Sequence, residues 1–284
     1  MPHAVLEAAE TLMPAPGRLL DDPYARFFLR GRTTRARCAT PVAARVTLRA
    51  FDLRYPGVAA LVLLRNRWYE EVLARALADG VGQVVLLSAG YDTTALRHAL
   101  GPARLFEVDA AAMQESKRDA MRRHRLRPVA DVTYVAGEFG RDPVLTRLTG
   151  AGFETSVRSL VVWYGASFFL TEAGIRRSLE DMALLCAPGS LLLWDYLDSS
   201  VVDGSTRYVG AQRARIAVAR RGRPYTFGLA RKAAPALLAP HGFTVRDHLR
   251  LPDLAARYGG PDGIWCSDDD FVGVLTCERR AEQA

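Results

Sequence analysis

The sequence predicts an α/β fold built on a doubly wound, mainly parallel sheet of seven strands. Beyond residue 80, short apolar runs alternate with segments of helical periodicity, which is the order of repeated strand–helix–strand units. The run at 84–87 is apolar at every position, as is typical of a central parallel strand buried on both faces. Residues 1–80 show only helical patterning. The chain is therefore divided into an N-terminal helical lid at 1–80 and a sheet domain at 81–284.

Each strand of the predicted sheet is a short apolar run that ends at a turn or a polar residue. The seven runs lie at 84–87, 104–108, 132–136, 159–163, 191–194, 242–245 and 271–276. Helices are predicted between them, at 93–100, 110–124, 171–185 and 233–240. In the lid, Asp21-Asp22-Pro23 has the acidic residues and the proline of a helix start, and a second helix is expected to end near Gly80. A helical insertion is expected at about 199–230.

Composition narrows the class of protein without deciding its function. The 284 residues are enough to bury a large core, and 49% are hydrophobic and 24% charged, as in ordinary globular proteins. Only Lys117 and Lys232 are lysines, so the net charge of +7 is attributed to arginine-rich codon usage rather than to a nucleic-acid surface. The longest apolar run, 58–64, is too short to span a membrane.

The cysteines and histidines show neither CxxC nor HExxH spacing, so no metal site is predicted. Residues 1–20 lack a basic segment followed by a long apolar run, the pattern of a secretion signal. We therefore expect a cytoplasmic protein whose partner is a small molecule rather than a nucleic acid or a membrane.

The informative residues follow the strands, because open α/β sheets bind ligands at the carboxyl ends of their strands. Ser88-Ala89-Gly90 forms a tight turn after the first strand, and Asp109 ends the second strand, 19 residues beyond Gly90. An acid at this distance is placed to accept hydrogen bonds from ribose hydroxyls. An ordinary strand–helix turn and a helix N-cap at Asp109 are equally good interpretations of these residues.

The turn also indicates which nucleotide would fit. The pattern GxGxxG is absent, which argues against a pyrophosphate cradle and favours an adenosine ligand without phosphates. Glu138 and Phe139, after the third strand, are candidates to flank an adenine, although Phe139 is equally explained as a core residue.

Several ordered blocks resemble the leucine carboxyl methyltransferase family. They are QVVLLSAGYDTTALR at 83–97, FEVD at 106–109 followed by Lys117, RNRWYE at 65–70 and WYGASFFLT at 163–171. The similarity extends from about residue 21 to residue 258. Blocks in this order and at this spacing are far more specific than any one of them.

The resemblance implies a Rossmann-like class I methyltransferase fold and S-adenosyl-L-methionine as the cofactor. Arg65 would pair with the methionyl carboxylate, which agrees with the preference of carboxylates for a guanidinium fork. The remaining implied cofactor-binding residues are Ser88, Ala89 and Gly90 for the methionine and ribose, Asp109 for the ribose hydroxyls, Glu138 and Phe139 for the adenine, and Tyr164 near the methionyl ammonium.

The sequence departs from the family pattern at several of these positions. Ser88 replaces a glycine, Thr94 an arginine, Asn66 a threonine and Glu70 an aspartate. At Tyr164 many members carry a glutamate that accepts from the methionyl ammonium, and a phenol is a weaker acceptor.

The activity implied is O-methyl transfer to a carboxylate or hydroxyl of a small, polyketide-like metabolite. A hydroxyl acceptor requires a base. Asp195, Tyr196 and His241 are candidates, but spacing reveals no partner for them, and no catalytic residue is assigned. Tyr164 motivates a rival function, a cyclase, isomerase or dehydratase on the same fold that transfers no methyl group. A binding module or NAD-dependent oxidoreductase is a further alternative.

Overall fold

Seven strands form one sheet in the described residues, in the order β3-β2-β1-β4-β5-β7-β6. The computed structural model describes residues 3–15, 17–137, 142, 144–259 and 268–281. The strands are β1 (Gln83–Leu87), β2 (Arg104–Asp109), β3 (Val132–Ala136), β4 (Ser159–Trp163), β5 (Leu191–Leu197), β6 (Phe243–Arg250) and β7 (Val272–Arg279). Strands β1 to β5 pair in parallel, and β7 runs antiparallel between β5 and β6. The predicted fold class is confirmed.

Twelve α-helices accompany the sheet in the described part of the chain. They are α1 (His3–Glu10), α2 (Arg32–Ala36), α3 (Pro41–Arg54), α4 (Val58–Ala78), α5 (Thr94–Arg97), α6 (Ala111–His124), α7 (Val144–Gly150), α8 (Glu172–Leu185), α9 (Ser199–Asp203), α10 (Val209–Ala219), α11 (Ala234–Leu238) and α12 (Leu251–Tyr258). Helix α4 ends within two residues of the predicted position. The insertion expected at about 199–230 contains α9 and α10.

Two predicted helices are shorter than expected. Asp22 caps a helical turn, since its Oδ1 accepts from the backbone N–H groups of Tyr24 and Ala25 at 3.0 Å. The turn is a single 3₁₀ segment, Ala25–Phe28, because the chain becomes extended at Leu29. The helix predicted at 93–100 is only α5, because His98 already has extended backbone angles.

Alternate strand residues point into two cores. On one face of the sheet, Val84 and Leu193 share a buried cluster with Leu64 and Trp68 of α4 and with α1. On the other face, Val85 and Trp163 belong to a cluster with the apolar side of α8. The helices of residues 1–80 therefore bury their apolar residues in the same core as one face of the sheet. The division into two domains stays a prediction. None of the described helices combines the length and the apolar character that a membrane span requires.

Candidate functional site

Asp109 lies at the carboxyl edge of the sheet and binds the turn that follows β1. Its Oδ2 accepts from the backbone N–H of Gly90 at 2.6 Å, and its Oδ1 accepts from that of Ala110 at 2.7 Å, beside the start of α6. The side chain is only half-buried. Because a carboxylate has about four acceptor positions, Asp109 holds the backbone and still has lone pairs for a ligand. The N-cap interpretation of Asp109 is not confirmed, because Ala110 is the N-cap of α6 and no side chain caps that helix.

The turn at 88–90 has an unusual backbone. Ser88 has φ +58° and Gly90 has φ +54°, both in the left-handed region, and the N–H of Ala89 donates to the carbonyl of Val108 at 3.2 Å. Glycine adopts this conformation freely, whereas a serine there is strained by its Cβ. The position where the resemblance expects glycine is thus one whose conformation favours glycine.

Glu107, the other acid of β2, does not reach the sheet edge. Its Oε2 accepts from Lys117 Nζ at 2.5 Å, and both side chains are buried. Burial raises the pKa of the Glu107 carboxyl, and the adjacent Lys117 ammonium opposes that rise. The pair is part of the packing between α6 and the sheet, so Asp109 alone of these two acids is placed for a ligand.

A second centre joins α4 to the ends of β4 and β5. Arg65 Nη1 donates to Asp195 Oδ2, and the backbone N–H of Gly165 donates to Asp195 Oδ1 at 2.8 Å. The side chains of Arg65 and Asp195 are 4% and 0% exposed. A pair buried this deeply needs such hydrogen bonds to compensate for lost hydration.

Tyr164 lies against this ion pair. Its ring centroid is 5.1 Å from Arg65 Cζ, which is a cation–π distance. Its hydroxyl is buried without a hydrogen-bond partner among the described residues, and so is Arg65 Nε. Burial, with the nearby Asp195 carboxylate, raises the pKa of Tyr164 well above its ordinary value. Tyr164 is therefore a neutral phenol next to an unused guanidinium donor.

Helix α1 covers this centre. A side chain at Gly165 would come within 3.4 Å of His3 Cε1 and 3.6 Å of Arg65 Nη1. One turn further along α1, Glu7 Oε1 accepts from Asn66 Nδ2 of α4 at 2.7 Å. The N-terminal helix is thus joined by a hydrogen bond to the helix that carries Arg65, at the residue that follows Arg65.

The three candidate bases are not brought together. Asp195 is engaged by Arg65 and Gly165. Tyr196 points to the opposite face of the sheet, where its hydroxyl lies 2.6 Å from His248 Nε2. Burial lowers the pKa of His248 to about 4, so that histidine is neutral. His241 ends a 3₁₀ turn before β6, on a different element from the other two.

The resemblance implies that Arg65, Ser88, Ala89, Gly90, Asp109 and Tyr164 bind one cofactor. In the structure they form two groups, one after β1 and β2 and one where α4 meets the end of β4. Glu138 and Phe139 lie outside the described residues. The sequence suggests Asp195 only as a candidate base and does not predict its contact with Arg65. The available signal was a single charged residue inside the otherwise apolar strand LLLWDYL.

Comparison with known sequences identifies relatives. A model of the leucine carboxyl methyltransferase family matches residues 1–183. A Mycobacterium avium protein is 30% identical over 195 residues, which cover 66% of this chain and 62% of that protein. A Mycolicibacterium smegmatis protein is 28% identical over 270 residues, covering 90% and 85%. Both are named S-adenosyl-L-methionine-dependent methyltransferases.

Solved structures share the fold. A duf574 family protein from Streptomyces avermitilis superposes with a TM-score of 0.57 at 15% identity, covering 84% of this chain and 92% of that one. The CurJ carbon methyltransferase superposes with a TM-score of 0.52 at 16% identity, covering 98% and 67%. The fold is that of class I methyltransferases, and the chain belongs to the leucine carboxyl methyltransferase family.

Proposed function

We propose that this chain is an S-adenosyl-L-methionine-dependent O-methyltransferase that acts on a carboxylate or hydroxyl of a small, hydrophobic, polyketide-like metabolite. Membership of the leucine carboxyl methyltransferase family supports methyl transfer as the reaction. Its cofactor is S-adenosyl-L-methionine, as the sequence predicts and as the names of its relatives state for them. We further propose that the methyl group is transferred to an oxygen atom and that the acceptor is a polyketide-like metabolite.

The described residues fit such a cofactor. Arg65 retains a buried Nε donor without a partner, which suits the methionyl carboxylate. Asp109 retains lone pairs at the sheet edge for ribose hydroxyls, and the turn at 88–90 offers backbone close to it. The buried, unsatisfied donor of Arg65 is the observation that carries the proposal, because burying such a group without a partner costs about 1–3 kcal/mol.

Asp195 offers the carboxylate that position 164 lacks. Its side chain lies beside Arg65, and the ring of Tyr164 packs against the same guanidinium. We assign Asp195 two tasks: it fixes the orientation of Arg65, and its negative charge favours the methionyl ammonium nearby. The replacement of glutamate by Tyr164 is then compatible with cofactor binding.

The acceptor is expected to need little help from a base. When bound, the cofactor supplies an electrophilic sulfonium methyl group, and alignment with the acceptor oxygen is the main requirement. Among the described residues, the candidate bases are engaged or distant. A carboxylate acceptor is already anionic, so it is favoured over a hydroxyl.

An aromatic cluster beside the second centre suits a hydrophobic acceptor. The rings of Phe168 and Phe169, just after β4, lie 5.2 Å and 5.4 Å from that of Tyr225. The N–H of Thr226 donates to the carbonyl of Phe168 at 2.8 Å, which fixes the insertion against β4. Burial and Asp195 raise the pKa of Tyr225 to about 12, so its ring is uncharged. All three rings are half-buried and thus accessible in part.

Isothermal titration with S-adenosyl-L-methionine, S-adenosylhomocysteine and NAD tests the cofactor. We expect micromolar binding of the first two and at least tenfold weaker binding in Asp109→Ala. Binding of NAD alone would contradict the proposal. Transfer of radiolabelled methyl groups to a panel of hydrophobic carboxylic acids and phenols then tests the reaction. Cofactor binding with turnover of acceptors into unmethylated products would favour the cyclase, isomerase or dehydratase alternative that Tyr164 motivates.

A further inference from the structure

The positive charge of the chain is concentrated in two segments. Residues 23–51 and 204–246 contain sixteen of the 38 lysines and arginines but none of the 31 acidic residues. The rest of the chain has 22 basic and 31 acidic residues, a net charge of −9. Codon usage explains arginine in place of lysine, but it does not explain two long segments without a single carboxylate.

Helix α3, which extends from the first segment to Arg54, packs at its end against α10 of the second segment. Arg213 Nη1 of α10 donates to the carbonyls of Leu53 and Arg54, at the end of α3, at 3.1 Å and 3.2 Å. The backbone of Gly210 packs so closely on the Pro56 carbonyl that a Cβ would clash with it. Helices α3 and α10 therefore present one continuous surface, and we call their exposed residues the basic face.

The basic face also collects exposed apolar side chains. Seven large apolar residues are exposed among the described residues, and only Val129 and Leu184 lie elsewhere. The five on the basic face are Val42, Val46 and Leu53 of α3, at 75%, 61% and 79% exposure, and Val209 and Ile216 of α10. Spacings of four and seven residues put each group along one side of its helix. Apolar stripes of this kind mark interaction sites.

The arginines on this face are available to a partner. Arg45 and Arg49 of α3 are exposed, as are Arg220 and Arg221 directly after α10, which we include in the basic face. No ion pair joins these four arginines to an acidic residue within the described ranges. Two nearby acids, Asp52 within α3 and Asp203 at the end of α9, have contacts of their own. Asp52 accepts from the N–H of Gly57, and the carboxylate of Asp203 binds Ser205.

We propose that the basic face docks an acidic amphipathic helix of another protein. Leucine-type anchors on such a helix would cover the apolar line of α3, and flanking carboxylates would pair with the arginines. A second copy presenting the same face is disfavoured by like charge. The apolar side chains are mostly valine, with no tryptophan or phenylalanine among them, which suits a protein helix better than insertion into a lipid surface.

A designed peptide tests this proposal without involving methyl transfer. The probe is an 18-residue labelled helix with leucines at three- and four-residue spacing and glutamates beside them, and its comparison is the same composition scrambled. At physiological salt we expect at least tenfold tighter binding of the patterned peptide in fluorescence anisotropy. Leu53→Asp and Arg49→Glu should each weaken it at least tenfold. The matched variant Leu184→Asp changes another exposed leucine, 63% exposed and off the face, and should bind normally.

Three results would overturn the proposal. Equal binding of the patterned and scrambled peptides would show charge attraction alone. Undiminished binding by Leu53→Asp, or no binding by the wild-type chain, would remove the face as a docking site. Sedimentation with phosphatidylglycerol vesicles in the absence of peptide binding would assign the face to a membrane instead. Circular dichroism of each variant checks that the fold is intact.

Discussion

At the scale of single residues, the ion pair of Arg65 and Asp195 links folding to ligand binding. Both side chains are buried, and the charge of each offsets the cost of removing the other from water. Removing one partner from such a pair costs about 3–5 kcal/mol, whereas replacing both by apolar groups is often neutral. Stability and binding can therefore be separated by comparing single and double variants.

We predict that Asp195→Asn lowers the free energy of unfolding by about 3 kcal/mol, because the Arg65 charge is left buried without its counter-charge. It should also weaken S-adenosyl-L-methionine binding by at least tenfold. Urea denaturation and calorimetric titration measure the two effects. The double variant Arg65→Met/Asp195→Leu should recover most of the stability but not the binding. Recovery of binding in that double variant would refute the role given to this pair.

Ser88 offers a test of backbone strain. We predict that Ser88→Gly raises the free energy of unfolding by about 1 kcal/mol, since glycine adopts φ +58° without a Cβ clash. Ser88→Ala retains the Cβ and should leave stability nearly unchanged. Equal effects of both variants in urea denaturation would show that the side-chain hydroxyl, not the backbone, is responsible.

At the scale of elements, helix α1 contacts α4 through the carboxyl group of Glu7, whose pKa is unusually high. Burial, with the neighbouring Asp22 and Asp92, raises the pKa of Glu7 from 4.5 to about 8. The folded chain therefore holds this proton more tightly than the unfolded chain. Stability from this group is fully present below pH 4.5 and is lost as the pH rises toward 8.

We predict that thermal stability falls between pH 5 and pH 8, and that Glu7→Gln flattens this dependence. The change in the free energy of unfolding should be about 1 kcal/mol or more, the equivalent of one pKa unit. The comparison variant is Glu172→Gln, an exposed glutamate that pairs with Arg176 on the surface of α8. Thermal melting of the wild-type chain and of both variants at pH 5 and pH 8 measures this dependence. A slope unchanged by Glu7→Gln would exclude Glu7 as its source.

The packing of α10 against the segment after α3 leaves no room for a side chain at position 210. We predict that Gly210→Ala costs about 2 kcal/mol or more, because its Cβ would overlap the Pro56 carbonyl, which is backbone and cannot rotate away. Gly150→Ala, at the end of α7, has no atom within 4 Å of the added Cβ and should be neutral or slightly stabilising. Urea denaturation compares the two. Equal stability of both variants would contradict the packing described for α10.

At the scale of the whole molecule, local patterning predicts the sheet well. Each of the seven strands overlaps an apolar run that predicts it, because strands buried on both faces consist mainly of apolar side chains. Strands β5, β6 and β7 continue three to five residues beyond their predicted ends, where the sequence is no longer a simple apolar run. Helix lengths are less predictable. The helix at 94–97 stops early because His98 must turn the chain toward β2, a requirement that its own sequence does not contain.

In the candidate site, too, the sequence predicts what depends on local spacing and not what depends on contacts between distant residues. Asp109 is predictable because its distance from the first turn is set by one strand–helix–strand unit. The contact between Arg65 and Asp195 joins residues 130 positions apart. No local pattern encodes such a contact, since it depends on how α4 crosses the sheet. Sequence patterning therefore locates the strands, and the three-dimensional fold is needed to pair the side chains across them.

The position of β7 has a consequence for biosynthesis. This strand pairs with β5 on one side and β6 on the other, although it is the last of the seven to be translated. Until residues 272–279 leave the ribosome, β5 exposes an unpaired edge and β6 has no neighbour, a state prone to aggregation. Nascent chains arrested before residue 272 should therefore be digested rapidly by protease, whereas chains released with β7 in place should resist.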